Sequence, residues 1–272
     1  MATQARVGIA SFRMYNATDD VARAWAALFR RVFAELDLAV EVVPHAWPAS
    51  LVALWQRTDL VCGFMCGLPF VEGAADVVPL AVPVPSPPRY GDQPRYLSEL
   101  LVREDSGWLT LPETFGARFG WMARHSQSGY HAARTLLAGH AAAGQRLYDM
   151  SVGPLDTPAR ALDALRERRI DVTALDGYYL DLLRRHAPQR LEGVRTIATT
   201  PWTPMPLLVA SAAQPAERVA ALRDRLGRLH RDPAYTHLLA DVLVRRFDAP
   251  RIASYAVLQQ MGREGAHYPD IV

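Results

Sequence analysis

The sequence predicts an α/β protein of two lobes, each built on a mixed or parallel sheet flanked by helices, with two extended crossings between them. Three observations carry this. Short apolar strand-like runs alternate with amphipathic helical runs over most of the 272 residues, the pattern of mainly parallel sheets covered on both faces. Two long Pro-bearing extended segments interrupt the alternation, residues 77–94 (VVPLAVPVPSPPRYGDQP) and 194–211 (VRTIATTPWTPMPLLVAS). With 50% hydrophobic residues, a chain of this length buries about three quarters of its unfolded surface, enough for two lobes. The predicted division is 1–90 with 205–272 as lobe 1 and 91–204 as lobe 2, with a cleft between them.

Residues 6–12 read as the first strand. Thr18-Asp19-Asp20 then supplies capping chemistry for an apolar-periodic helix over 21–36. A strand (38–43), a short helix (49–56) and a strand (59–64) complete the first run. After the first crossing come strands at 95–102 and 119–123, a helix over 129–143, a strand at 148–152, a helix over 157–168, a strand at 170–175 and a helix over 179–185. Beyond the second crossing the pattern turns purely helical (215–229, 233–244 and a weaker 255–263), a tail free to pack back on the first lobe.

Composition narrows the function. The formal charge is only +2, and the clusters Arg166, Arg168 and Arg169, Arg184 and Arg185, and Arg245 and Arg246 fall near the ends of apparent helices. There a cation meets the helix dipole and water, so no nucleic-acid stripe is expected. Cys62 and Cys66 in LVCGFMCGLPF would lie roughly 13 Å apart on a strand, too far for a disulfide. Without a nearby His they make a poor zinc site; both read first as small buried hydrophobes, with Cys66 beside Gly67 also able to line a pocket. The chain has no G-x-S-x-G elbow, H-E-x-x-H pair, P-loop or G-x-G-x-x-G turn. The expectation is therefore no metal and no cofactor. No apolar run reaches the ~18 residues that span a bilayer, so no membrane insertion is expected. No charged-then-apolar leader precedes the first strand: the chain as written reads as cytoplasmic, or as periplasmic if it is a trimmed form.

The sharpest local feature is FGWMARHSQSGYHAARTLL, residues 119–137, where a strand passes through two serines and a glycine into a helix. A helix start leaves N–H groups unpaired and carries partial positive charge, glycine allows close approach, and serine hydroxyls donate. The same residues also suit simple capping, with Ser128 as N-cap and Ser126 in a polar turn. Locally both readings stand.

The ordered set of motifs resembles the type 2 periplasmic binding proteins, and among them the phosphate/phosphonate-binding proteins of ABC transporters. The carrying residues are VGIASF, TDLVCGFMCGLPFVEGA, YLSELLVREDSGW, FGWMARHSQSGY, IDVTALDGYYLDLL and TTPWTPMPLLVA. The resemblance spans nearly the whole chain and implies a solute-binding protein that captures a small anionic ligand in the cleft, closes by a hinge, and delivers it to the membrane subunits of a transporter, as a monomer or dimer. It places oxyanion contacts at Ser126, Ser128, Gly129 and Tyr130. Asp156 in VGPLDTPA and Asp176 fall where an acidic residue can meet a cationic group of the ligand, although each also precedes a helix, and capping is the better reading of Asp156. Trp47 in PHAWPAS takes the family's first-lobe aromatic position. Departures occur after the first strand, where SFRMYNATDD sets Arg13 and Tyr15 at the expected cleft, and at FMCGLPF with Cys66 and Gly67. A first lobe this aromatic and sulfur-lined suits a ligand larger than phosphate, with an aromatic or heterocyclic part. The alternative is a cytoplasmic enzyme or sensor of the same fold, of the menaquinone or thiamine-precursor type, with Asp176, His125 or Cys66 as acid–base candidates.

Overall fold

The computed structural model describes residues 7–142 and 145–266. The first residue of the predicted opening strand, the last of the predicted helix over 129–143 and the end of the tail lie outside them. The chain divides into two compact units: one comprises the chain up to Arg95 with Pro204–Ile252, the other Tyr96–Thr203 with the chain from Ala253 on.

Unit 1 opens with β1 (Gly8–Ser11) and α1 (Asp19–Glu35). Thr18 caps α1 by accepting from the Val21 N–H, and Asp19 and Asp20 in the first turn suit its positive end. The helix buries Val21, Trp25, Leu28, Phe29, Val32 and Phe33, one stripe at 3.6-residue spacing. Next come β2 (Val40–Val42), α2 (Leu51–Trp55), β3 (Leu60–Met65), α3 (Gly67–Val71), β4 (Val77–Pro85) and β5 (Arg95–Tyr96). All six residues of β3 are buried, as expected for a strand covered on both faces. Phe12 stacks on Phe29 (4.1 Å between centroids), Trp25 meets Phe64 edge-on (5.1 Å), and Tyr15 does the same (4.9 Å), so the chain leaves β1 into an aromatic core.

Unit 2 contains β6 (Ser98–Arg103), β7 (Arg118–Gly120), a π-helical turn (Gln127–His131), α4 (Ala132–Ala138), β8 (Met150–Val152) and α5 (Pro158–Arg166). It continues with β9 (Val172–Asp176), α6 (Gly177–His186), β10 (Val194–Thr199) and β11 (Thr203–Pro204). Its sheet runs β10-β6-β9-β7-β8, with β7 parallel to β8 and β9, and β6 antiparallel to β9 and β10. The two crossing strands β5 and β11 pair with each other.

After β11 the chain forms β12 (Leu207–Ser211), α7 (Ala216–Arg228), α8 (Thr236–Asp241), β13 (Val244–Asp248) and α9 (Ala256–Gly265). Unit 1 therefore carries a sheet ordered β13-β4-β12-β3-β1-β2, parallel around β1 and antiparallel from β12 outward. Three features depart from the sequence reading. The Pro-rich segment after Asp76 contains a long sheet strand, β4, as well as a connection: its prolines cannot donate, and both of its ladders carry a register shift, one next to Pro79 and the other next to Pro85. The tail is not purely helical, because β13 ends the predicted helix over 233–244 and adds an edge strand; Arg246 there pairs with Asp92 and Asp248 rather than facing a helix end. Finally, α9 lies in unit 2, packed on α4, so residues beyond Ile252 make a further passage of the chain.

An ion-pair network in unit 2 ties β7 to the chain entering β9. Asp171 accepts from Arg118 Nε and Nη2 at 2.8 and 2.9 Å and from the Arg118 N–H at 3.1 Å, with Arg103 nearby. The Arg118 hydrogen bonds hold the Asp171 carboxyl below its ordinary value. A depressed acid pKa contributes stability above the unfolded value, and that stability is lost as pH falls through the folded one. Asp171→Asn should cost about 1–2 kcal/mol at pH 7 and flatten the fall in melting temperature as pH drops below about 4. Thermal melts across that range check this; parallel curves for the two proteins would refute it.

Candidate site at the carboxyl edge of the unit 2 sheet

In unit 2 the loops leaving the carboxyl ends of parallel strands β7, β8 and β9 are the Trp121–Tyr130, Gly153–Thr157 and Asp176–Gly177 stretches, the edge where open α/β sheets hold ligands. Backbone bonds join the first two: Leu155 N–H donates to the Trp121 carbonyl (3.0 Å), and Asp156 N–H to that of Met122 (2.8 Å).

The first loop runs straight into the π turn. Ser126, not Ser128, is the N-cap: its Oγ accepts from the Gly129 N–H at 3.0 Å. The expected roles of the two serines as cap and turn are thus exchanged, because the helical segment opens at Gln127, two residues before the predicted start at 129. The widened ladder of the π turn is explicit in His131 N–H donating to the Ser126 carbonyl, five residues back, at 3.1 Å. The N–H groups of Gln127 and Ser128, first in the helix, have no carbonyl within it to meet. Ser128 adds a hydroxyl at 9% exposure. Since Gly129 donates its N–H to the cap, its contribution is room: a Cβ there would lie 2.7–2.9 Å from Met122 Cβ, Cγ and Sδ. The Tyr130 ring is core, edge-on to Trp121 (5.5 Å), with the Arg134 guanidinium over it at 5.1 Å. His131 Nε2 lies 2.6 Å from the Arg124 carbonyl, bridging the two ends of the loop. Burial pushes His125 and His131 below the ordinary imidazole value, so neutral rings are favoured at pH 7; Asp156 opposes this for His125 and the Arg124 carbonyl for His131.

Asp156 does not cap α5. Thr157 does, accepting from the Arg160 N–H at 3.2 Å, while Asp156 adopts the left-handed region (φ 63°) and interacts with His125. Asp176 is the α6 N-cap, accepting from the Tyr178 and Tyr179 N–H groups at 2.8 and 3.1 Å, and is nearly buried. Beside it in the sheet, Ser98 is buried with no partner for its Oγ among the described residues.

In unit 1 the predicted residues separate. Tyr15 is 1% exposed and belongs to the aromatic core, not to an open face, because Phe64 offers its ring an edge contact. Arg13 turns to the 45–49 loop, donating to the His45 carbonyl at 3.1 Å and to that of Ala49. Trp47 on that loop stays 46% exposed. Cys66 and Gly67, at the start of the short α3, are nearly buried, and burial pushes the neighbouring Cys62 thiol up, so it stays protonated. No group of His, Cys, Asp and Glu suited to a metal occurs among the described residues, and no helix among them is long and apolar enough to cross a membrane.

Residues 12–255 match the family model of the periplasmic substrate-binding proteins of phosphonate ABC transporters. The chain belongs to that family. Membership decides for a substrate-binding component and against the biosynthetic-enzyme alternative, and it implies a small ligand and membrane subunits as partners. Among solved structures, the fold is similar to the binding-protein component of an ABC phosphonate transporter from Pseudomonas aeruginosa (TM-score 0.79, 16% identity, covering 95% of this chain and 86% of that one). It is also similar to PhnD1 from Prochlorococcus marinus in complex with methylphosphonate (0.78, 15%, 96% and 98%). A third, XAC2383 from Xanthomonas citri, is bound to ATP (0.63, 18%, 96% of both chains). No curated protein matches by sequence. The phosphonate-binding family sits within the type 2 periplasmic binding fold that the two mixed sheets display.

Proposed function

We propose that this phosphonate-family binding protein holds the oxygens of a phosphonate or phosphate ester on the unit 2 loop, through the Gln127 and Ser128 N–H groups and the Ser126 and Ser128 hydroxyls. The observation that carries it is the pair of N–H groups left without helix carbonyls at the start of the π turn, at the sheet edge suited to ligands. Gly129 and Tyr130 shape that loop, one by leaving room and the other by anchoring it in the core. Asp156 and Asp176 are the acidic groups closest in sequence to the loops of this edge, for a ligand that carries an amine. On unit 1, Trp47 is exposed and its ring suits an aromatic or heterocyclic group, while Cys66 and Gly67 open α3 nearly buried. The ATP-bound relative supports a ligand larger than phosphate.

Titration with methylphosphonate, phenylphosphonate, phosphate and ATP tests this. A true ligand at 100 times its Kd should stabilise the protein by about 2.7 kcal/mol, a melting shift of roughly 5–10 °C at this size, and be recovered intact. Ser128→Ala should weaken binding about 10- to 100-fold by removing a hydrogen bond to a charged group. Absence of any shift, or wild-type affinity in Ser128→Ala, would refute the assignment.

A further inference from the structure

A π turn trades hydrogen-bond quality for an extra residue and persists where surrounding contacts enforce it. In this protein β9 and Met122 pack on the turn, and α9, the helix that rejoins unit 2 after the whole of the unit 1 sheet is complete, adds polar contacts of its own. Gln127, the first residue of the turn, is fully buried, and its Nε2 donates to Met261 Sδ at 3.8 Å while its Oε1 has no partner among the described residues. One turn on, Thr135 Oγ1 is shared between the His131 carbonyl (3.0 Å), where the π turn ends, and the Met261 carbonyl (2.9 Å). Gly265 lets the two helices approach this closely: a Cβ there would lie 3.2 Å from Arg134 Cβ and 3.3 Å from the Thr135 nitrogen.

We propose that α9 is a positioning element for the anion loop, with Met261 holding Gln127 and Thr135 so that the π turn keeps the Gln127 and Ser128 N–H groups free for ligand oxygens. This rests on the anion-loop reading above. Neither is a generic apolar packing contact: one fixes the side chain of Gln127, whose N–H opens the turn, and the other holds Thr135, whose hydroxyl also meets the carbonyl of His131, the last residue of the turn. In this arrangement neither side chain meets the ligand; Gln127 meets it only through its backbone N–H. With these contacts removed, the segment relaxes toward ordinary α-helical spacing, in which the ladder shortens by one residue and the first N–H groups change direction.

The variants are Gln127→Leu with Thr135→Val, which keep volume and remove the polar contacts, and Thr135→Ser, which restores the hydroxyl. In the full chain, the double variant should bind methylphosphonate at least about tenfold more weakly, and amide exchange over residues 127–131 should quicken about tenfold while that of α6 stays as it was. Thr135→Ser should return to within about twofold of wild type on both measures. Unchanged exchange in the double variant overturns the proposal, and so does unchanged affinity. If the wild-type protein binds no phosphonate, the functional reading fails on its own, and the exchange measurement, which needs no ligand, still decides whether α9 holds the turn. Should Gln127→Leu prevent folding, Thr135→Val alone carries the same comparison.

Discussion

Gly129→Ala is expected to lower methylphosphonate affinity by about 100-fold or more, since misplacing the loop forfeits several charge-assisted hydrogen bonds of about 1.5–3 kcal/mol each. Two local effects oppose each other. Alanine is the better helix former by about 1 kcal/mol and Gly129 has no positive φ, so an open helix would gain from the change. The new Cβ, however, meets Met122 at its Cβ and Cγ as well as Sδ, all within 2.9 Å, and the inner part of a side chain cannot swing aside. Overpacking of this kind costs about 1–3 kcal/mol, which makes the net stability change small while the loop that carries Gln127 and Ser128 is forced away from Met122. The result to look for is a large loss of binding with little loss of melting temperature. Adding Met122→Ala should recover part of the affinity, because the two sites share one volume. Titration calorimetry on the single and double variants reads both effects; Gly129→Ala binding within about threefold of wild type would show that the loop tolerates the displacement.

Trp25→Ala should cost about 3–5 kcal/mol, the largest stability effect expected here. Trp25 is fully buried on α1 and touches Phe12, Phe29 and Phe64, so its removal opens a cavity at the centre of the unit 1 core. Trp25→Phe should cost under about 1.5 kcal/mol, because the indole Nε1 has no hydrogen-bond partner among the described residues and the smaller ring removes an unsatisfied buried donor. Denaturant midpoints of the two variants separate the contributions of volume and polarity. Equal destabilisation would mean that the indole N–H is satisfied after all.

The legibility of the sequence follows from the range of the interactions. The α1 boundaries were readable because a Thr cap, two acidic residues and a stripe of apolar residues lie within one segment. Strand β3 was readable because burial on both faces demands an unbroken apolar run. Strand β4 was harder: prolines argue against a strand, and only pairing with β12 and β13, more than a hundred residues on, with ladders that shift beside them, makes one. β13 itself was hidden, since its apolar positions fit a continued helix equally well. At the candidate site, the serine and glycine loop announced itself by residue type. Which serine caps it did not, because residue type alone does not mark where the helical segment opens.

What the sequence by itself determined was the α/β class, the two extended crossings and the family, and it singled out the loop at residues 126–130 that we propose as the anion site. Those follow from local periodicity, capping chemistry and motif order, all written within short stretches of chain. Only the tertiary structure decided that Tyr15 and Tyr130 spend their rings on packing, that Asp176 caps α6 while Thr157 takes the capping role from Asp156, and that Met261 of α9 meets Gln127 and Thr135. The reason is physical: the caps depend on the local backbone path, which residue type alone leaves open between neighbouring candidates, while the ring packing and the α9 contacts depend on which other segment arrives within contact distance, and a contact such as Thr135 to Met261 leaves no periodic trace in either segment.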